Sequence, residues 1–288
     1  YVKVDEEYWR IIGVMNDIDD GTGIKETRLK LIRDESIGSY SWDTSDSAVN
    51  NGYGVNEWSQ AALVKLLNPG YESENIGGSL YYNSISGNCY DSSNNGTKTC
   101  DFTTVGLKEN LKSLIADAIW HTGSNGTKDY TSSTAGLVNH FYEYERSNNT
   151  GKICTTGNYC NDTVERKIIW QGKVGLIYPS DYGYATSGKN INNRTECLNK
   201  EMYSWSASSY SDCKDNDWLY DSNIWQWTIS PGTYSTDSYT IFSVSDTGGI
   251  RYNSATNVRT VKPTVYLSST AAIFSGTGSK QNPYILSL

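Results

Sequence analysis

Two histidines, two methionines and four phenylalanines are all that this 288-residue chain contains. The scarcity of histidine narrows the catalytic options first. A Ser-His-Asp arrangement needs an imidazole within reach of its nucleophile. His121 follows a predicted helix, where the helix dipole accounts for it, and His140 sits beside Phe141 and Tyr142. No Gly-x-Ser-x-Gly elbow is present. No cysteine pair has the two-residue spacing of a zinc knuckle, and no glycine-rich loop has the form of a phosphate or dinucleotide site. No apolar run approaches the ~20 residues of a membrane-spanning helix. Basic residues are also short: 24 Lys and Arg stand against 32 Asp and Glu, a net charge of −8. That excess of acid argues against binding nucleic acid and against electrostatic attachment to anionic lipid. With so little Phe and Met, part of the 9 Trp and 23 Tyr must fill the core, and the rest must face water.

The six cysteines fall in three near pairs: Cys89 with Cys100, Cys154 with Cys160, and Cys197 with Cys213. Each gap is rich in Asn, Ser, Thr and Gly. Such spacing predicts disulfide-pinned loops in an oxidising compartment, each worth roughly 2–3 kcal/mol. Six cysteines allow more than one connectivity, and nearest-neighbour pairing is preferred on loop-closure grounds. The chain opens on a strand-like segment with no signal peptide, so it is expected to be a processed or excised ectodomain.

Hydrophobic periodicity predicts a hairpin first. Tyr8 to Val14 reads as a strand and Arg28 to Arg33 as its partner, joined through Asp17-Ile18-Asp19-Asp20-Gly21-Thr22-Gly23. Three aspartates invite a calcium reading, but their spacing fails the EF-hand template, so a solvated tip is the reading preferred. A helix is predicted from an Asn56 N-cap through Leu67, stopped by Pro69-Gly70. A second should cover Leu107 to Trp120, and a shorter third Gly136 to Arg146. Strands are predicted over Lys173–Tyr178, Ile224–Ile229, Tyr239–Val244, Ile250–Tyr252 and Thr264–Leu267. The expected result is one α+β domain over residues 1–288: two main helices on small antiparallel sheets. Long loop excursions at 71–104, 147–165 and 187–222 complete it.

Several motifs resemble a family of bacterial, Gram-positive surface domains of unknown function. Tyr8-Trp9-Arg10-Ile11-Ile12-Gly13-Val14 is similar to its opening strand, and Gly175-Leu176-Ile177-Tyr178-Pro179-Ser180-Asp181-Tyr182 to its central strand and turn. Trp225-Gln226-Trp227-Thr228-Ile229-Ser230-Pro231 and Val261-Lys262-Pro263-Thr264-Val265-Tyr266-Leu267 are similar to its later strands. The tail from Gly276 to Leu286 is similar to a common ending of Gram-positive surface proteins. The motif order resembles the C-type-lectin-like fold, in the branch shared with formylglycine-generating enzymes and the variable proteins of diversity-generating retroelements. Some members follow type IV pilin-like segments. The resemblance therefore implies a C-type-lectin-like domain. It transfers no catalytic cysteine, since each cysteine here has a near partner, and no calcium-dependent sugar loop, since Gln281-Asn282-Pro283 has the wrong order.

Function is expected in the aromatic, polar stretch from Met202 to Tyr239. Rigid rings among Ser, Asp, Asn and Thr give contact area at low entropic cost. Trp225 and Trp227 are assigned to the core. Trp205, Tyr210, Asp217, Trp218, Tyr220 and Tyr234 are the candidate ligand-binding residues, with the Cys197–Cys213 loop holding them in shape. The expected function is a secreted or cell-surface binding module, adhesin-like, for glycan or protein, with no enzymatic activity, cofactor or metal. The alternative is a structural subunit of a pilus-like filament or surface layer, self-assembling through the same loops. A carbohydrate-active enzyme using paired acids such as Glu6 and Glu7 or Asp215 and Asp217 is a weaker option. Five Asn-x-Thr sequons, at Asn95, Asn125, Asn148, Asn161 and Asn193, mark surface glycans only if the chain is eukaryotic.

Overall fold

The Glu7–Asp19 and Lys25–Arg33 strands pair antiparallel as the long hairpin that the alternation predicts. Its tip closes by short-range bonds. Asp19 Oδ1 accepts the Gly21 and Gly23 amides at 2.8 and 3.2 Å, and Asp20 Oδ1 accepts the Thr22 amide and hydroxyl at 2.7 and 2.6 Å. Gly21 and Gly23 take φ of 92° and 91°, a region side chains avoid. Two of the three acids that suggested calcium, Asp19 and Asp20, thus stabilise their own turn.

The computed structural model describes residues 1–44, 52–71, 80–81, 88–89, 98–99, 102–122, 142, 145, 153–154, 166–186, 191–200, 211–215, 217–232 and 238–287. In chain order its strands are β1 (Val2–Val4), β2 (Glu7–Asp19), β3 (Lys25–Arg33), β4 (Ser39–Ser41), β5 (Asn88–Cys89), β6 (Lys98–Thr99), β7 (Ala118–His121), β8 (Ile153–Cys154) and β9 (Arg166–Lys167). They continue as β10 (Ile169–Gly172), β11 (Val174–Gly175), β12 (Gln226–Pro231), β13 (Thr240–Val244), β14 (Ile250–Ser254), β15 (Val258–Thr260), β16 (Thr264–Tyr266), β17 (Ala272–Ser275) and β18 (Tyr284–Ser287). A seven-stranded sheet runs β11-β16-β3-β2-β1-β18-β17, and a five-stranded sheet runs β14-β13-β12-β15-β4. β7 with β10, β5 with β6 and β8 with β9 form separate two-stranded sheets. Late strands join early ones in both large sheets: β16 pairs with β3, and β15 with β4.

The chain is therefore predominantly β, which overturns the α+β expectation with two main helices and the C-type-lectin-like arrangement attached to it. The described helices are short: α1 (Ala62–Leu67), α2 (Glu109–Leu114), α3 (Pro179–Tyr184), α4 (Ile191–Leu198) and α5 (Ser211–Lys214). The helix predicted over Leu107–Trp120 stops at Leu114. Ile115 turns extended and bridges Leu267, and Ala118–His121 becomes β7 against β10. Ile119 and Trp120 suit a strand better than a helix, and β10 supplies the ladder that decides it. The alternation of buried Ala118 and Trp120 with half-buried Ile119 and His121 was concealed by a spacing that also fits a helix. The first predicted helix is likewise trimmed to α1 after a 3-10 turn at Trp58–Gln60. Asn56 is not its cap: its buried side chain donates to the Thr240 carbonyl at 3.0 Å. Of the third, Tyr142 and Glu145 are helical, and the rest lies outside the described residues.

The main core carries the tryptophans that the shortage of Phe required. Trp9, Trp42, Trp58, Trp120 and Trp227 are all buried in it. Two indole bonds tie β4 and the residue after it to β12, the middle strand of the five-stranded sheet: Trp42 Nε1 donates to the Thr228 carbonyl at 3.1 Å and Trp227 Nε1 to the Tyr40 carbonyl at 2.9 Å. Trp227 is thus core as expected, while Trp225 is half-buried under the Arg259 guanidinium, 4.9 Å from its ring centre. A second cluster gathers Ile32, Ile177, Tyr182, Leu219, Phe242 and Ile250 around Cys197 and Cys213.

Candidate functional site

Those two cysteines form a disulfide, with Cα atoms 4.9 Å apart and a sequence separation of 16. It joins α4 to α5 inside the second cluster, and it fits an extracellular setting. The pairings of Cys89 with Cys100 and of Cys154 with Cys160 lie outside the described residues, since Cys100 and Cys160 are not among them. No helix among the described residues is long and apolar enough to cross a membrane.

Directly after α5 the chain presents three of the expected ligand-binding residues, and each is engaged internally. Asp217 is buried; its Oδ1 accepts the Leu219 amide at 2.8 Å and its Oδ2 the Thr186 hydroxyl at 3.4 Å. Burial pushes its carboxyl well above the usual aspartate range, against those two bonds and the nearby charges of Arg10 and Arg194. Trp218 is half-buried with the Arg10 guanidinium 3.8 Å from its ring centre. The Tyr220 hydroxyl donates to the Asp246 carbonyl at 2.7 Å, and burial together with neighbouring acids raises its phenol. Trp205, Tyr210 and Tyr234 lie outside the described residues. The structure thus brings Asp217, Trp218 and Tyr220 together on one turn, but as parts of a packed junction with β2 and the loop around Asp246.

A cavity of about 250 Å³ opens elsewhere, between the distal half of the β2–β3 hairpin, β7, the helical residues Tyr142 and Glu145, Tyr178 ahead of α3 and Tyr266 in β16. Its polar lining includes Asp17, Asp19 and Lys25 from the hairpin, and Glu145, Tyr142 and Tyr178 opposite. Asp17 and Lys25 are exposed at the mouth, whereas Glu145 and Tyr178 are buried within. Local structure fixes most of these groups. Asp17 has φ of 56° at an irregularity in the β2–β3 register, which redirects the strand there. The His121 amide donates to Tyr178 Oη at 2.8 Å, and Ser180 donates its hydroxyl to Glu145. The Tyr142 ring lies 4.6 Å from that of Tyr184 in α3. Pro179 starts α3 at its first turn, where its missing amide costs nothing.

Sequence reasoning missed this site because its parts come from five segments far apart in the chain. The visible signal was the Asp-rich hairpin, but with the EF-hand spacing absent it read as a solvated tip. Among the described residues no group of three or more His, Cys, Asp or Glu is close enough to hold a metal ion. What the cavity offers instead is aromatic faces, carboxylates and hydroxyls at close quarters, a set that suits a small polar ligand. No protein-family model, curated protein or solved structure matches the chain.

Proposed function

We propose that the protein is a secreted or cell-surface binding module, of the adhesin kind, that takes a single sugar ring at the end of a glycan into the cavity between the β2–β3 hairpin and α3. One observation carries the reading: phenol rings and carboxylates from four separate segments converge on one cavity of about 250 Å³. That volume falls below the ~300–1,000 Å³ of sites that enclose drug-sized ligands, so one ring fits and an extended chain does not. Tyrosine faces pack against the C–H faces of a sugar, and Asp and Glu oxygens accept from its hydroxyls. The acids outnumber the one lysine, which favours a neutral or amino-bearing sugar over an acidic one. The bacterial surface resemblance of the motifs points the same way. The reading is of binding alone, and it is supported by the burial of Ser180, whose hydroxyl is held by the Glu145 carboxylate and is not offered to a ligand as a nucleophile.

A glycan array followed by calorimetry tests this. Binding to neutral or amino sugars is expected, with at least a tenfold loss in Y142A and in D17N. No bound glycan, or affinity unchanged in the double variant, overturns it. Binding that survives both changes but is lost in W205A puts the ligand on the 203–234 loop face instead.

A second reading, a structural subunit of a filament or surface layer, is favoured by one feature. β17 ends the seven-stranded sheet, and its Ile273 and Phe274 are exposed, Phe274 by 78%. An apolar edge strand is a template for pairing with a second copy. Sedimentation of the protein and of F274K separates the readings: assembly that grows with concentration and is lost in F274K supports the subunit, and a monomer throughout removes it.

A further inference from the structure

Among the described residues, the most heavily buried ionisable pair lies beyond the wall of that cavity. Lys30 is in the middle of β3, between β16 and β2, where an apolar side chain would be expected. Its ammonium group contacts Asp181 Oδ2, and both side chains are 0% exposed. Three rings enclose the ammonium. Tyr178 has its centre 3.9 Å from Nζ, and Trp120 and Tyr266 are each at 5.4 Å. The rings also pack on one another, with Trp120 4.7 Å from Tyr266 and 6.1 Å from Tyr178. Asp181 is held from the other side, because Oδ2 accepts the Tyr178 amide at 2.8 Å. The two residues are 151 positions apart and arrive from a strand and a helix whose backbones are fixed by separate packing.

A charged pair in such a place loses both hydration shells, which costs several kcal/mol per ion before their attraction is counted. Transfer of one proton from Nζ to the carboxylate removes both charges. It leaves a neutral amine touching a neutral carboxylic acid, fixed in contact and shielded from water. Holding two reactants so is what raises effective concentration in intramolecular reactions.

We infer that Lys30 and Asp181 are the two halves of an intramolecular amide crosslink. The Nζ lone pair attacks Asp181 Cγ and forms the C–N bond. The tetrahedral centre then breaks one C–O bond, and that oxygen leaves as water with the proton first passed from Nζ and a second one from the attacking nitrogen. The product is a secondary amide plus one water, neutral overall like the ion pair it replaces, and it needs no oxidant, reductant or activating co-substrate. The remaining oxygen keeps the Tyr178 amide as its donor. The three rings keep water from the product, so hydrolysis is blocked by the same packing that promotes condensation. The bond fastens β3, an interior strand of the large sheet, to α3, which sits under the proposed ligand cavity. It gives a surface protein a clamp that reducing agents do not open.

Intact-mass spectrometry of the purified full chain, fully reduced and denatured, is the test. The expected mass is lower than that of the sequence by one water. Proteolysis should release a branched peptide joining the segment around Lys30 to that around Asp181, with no tryptic cleavage after Lys30. K30R, which retains the positive charge, should have the full mass, and so should D181A. The readout on the unaltered protein stands even if a variant fails to fold. A wild-type chain of full mass overturns the inference. So does a loss of water that maps to a linear peptide, as a succinimide at Asp181 would. Neither result bears on glycan binding, which is read from Tyr142 and Asp17.

Discussion

The Arg10 guanidinium lies 3.8 Å from the centre of the Trp218 ring, and its Nη1 donates to the Trp218 carbonyl at 3.2 Å. One arginine on β2 thus grips both the side chain and the backbone of the turn that follows the disulfide. An indole face covered in this way is not offered to a ligand. Burial lowers the Arg10 guanidinium below its ordinary value, while the carboxylates of Asp34 and Asp217 oppose that shift. The contact is partly desolvated, where cation–π pairs are worth most.

R10A and W218A should therefore each destabilise the protein, and their effects should not add. A double-mutant cycle by urea unfolding is expected to give a coupling of about 1–2 kcal/mol. A coupling near zero would mean that the stacking is incidental and would return Trp218 to the list of ligand-facing residues.

Breaking the disulfide at the same junction should cost about 3 kcal/mol, the entropic value for a closed loop of about 15 residues. The double variant C197A/C213A is expected to unfold at lower urea with its secondary structure intact at low denaturant. Equal stability with and without the bond would show that α4 and α5 dock by packing alone.

The contrast between these residues and the rest of the chain shows what the sequence could carry. The β2–β3 hairpin was legible because alternation and two turn glycines pointed to one structure. β7 was not, because Ala118, Ile119 and Trp120 satisfy a helical stripe and a strand alike, and the deciding partner lies some fifty residues on in β10. Asn56 read as a cap because caps are local, whereas its bond to Thr240 is not. Trp218 and Tyr220 read as exposed because nothing near them in sequence announces Arg10 or Asp246. Lys30 was counted only as the polar step in an alternating strand. The aromatic cage that buries it is assembled from three other parts of the chain.

The buried carboxyl of Asp217 should make stability depend on pH with a defined sign. Its folded value is raised above the ordinary 3.8 chiefly by burial. Between the two values the unfolded chain has released a proton that the folded chain still holds. Stability is therefore lost as pH rises through that window, and no penalty exists below it. D217N retains an acceptor for the Leu219 amide and cannot ionise. Urea unfolding should show D217N close to wild type near pH ~3.5 and progressively more stable than wild type toward pH ~7. A difference that stays constant with pH would show that the Asp217 charge does not govern stability.

Gly175 in β11 offers the last check, and it bears on the cage around Lys30. A Cβ at this position would stand 2.8 Å from Trp120 Cζ3 and 2.9 Å from Cε3, closer than packed atoms tolerate. The indole cannot swing away freely: its Nε1 donates to the Gly172 carbonyl at 3.1 Å, and its other side meets Tyr266. The strand cannot retreat either, since β11 is paired with β16 at Val174 and Gly175. Either the ring or the strand must shift, and overpacking of this kind costs about 1–3 kcal/mol. G175A is expected to lower the unfolding midpoint by that amount. Because the displaced ring is part of the enclosure around the Lys30 ammonium, tryptophan emission should shift to the red as water reaches it. An unchanged midpoint and emission would mean that Trp120 has room the packing does not show, and the enclosure of Lys30 would then rest on Tyr178 and Tyr266 alone.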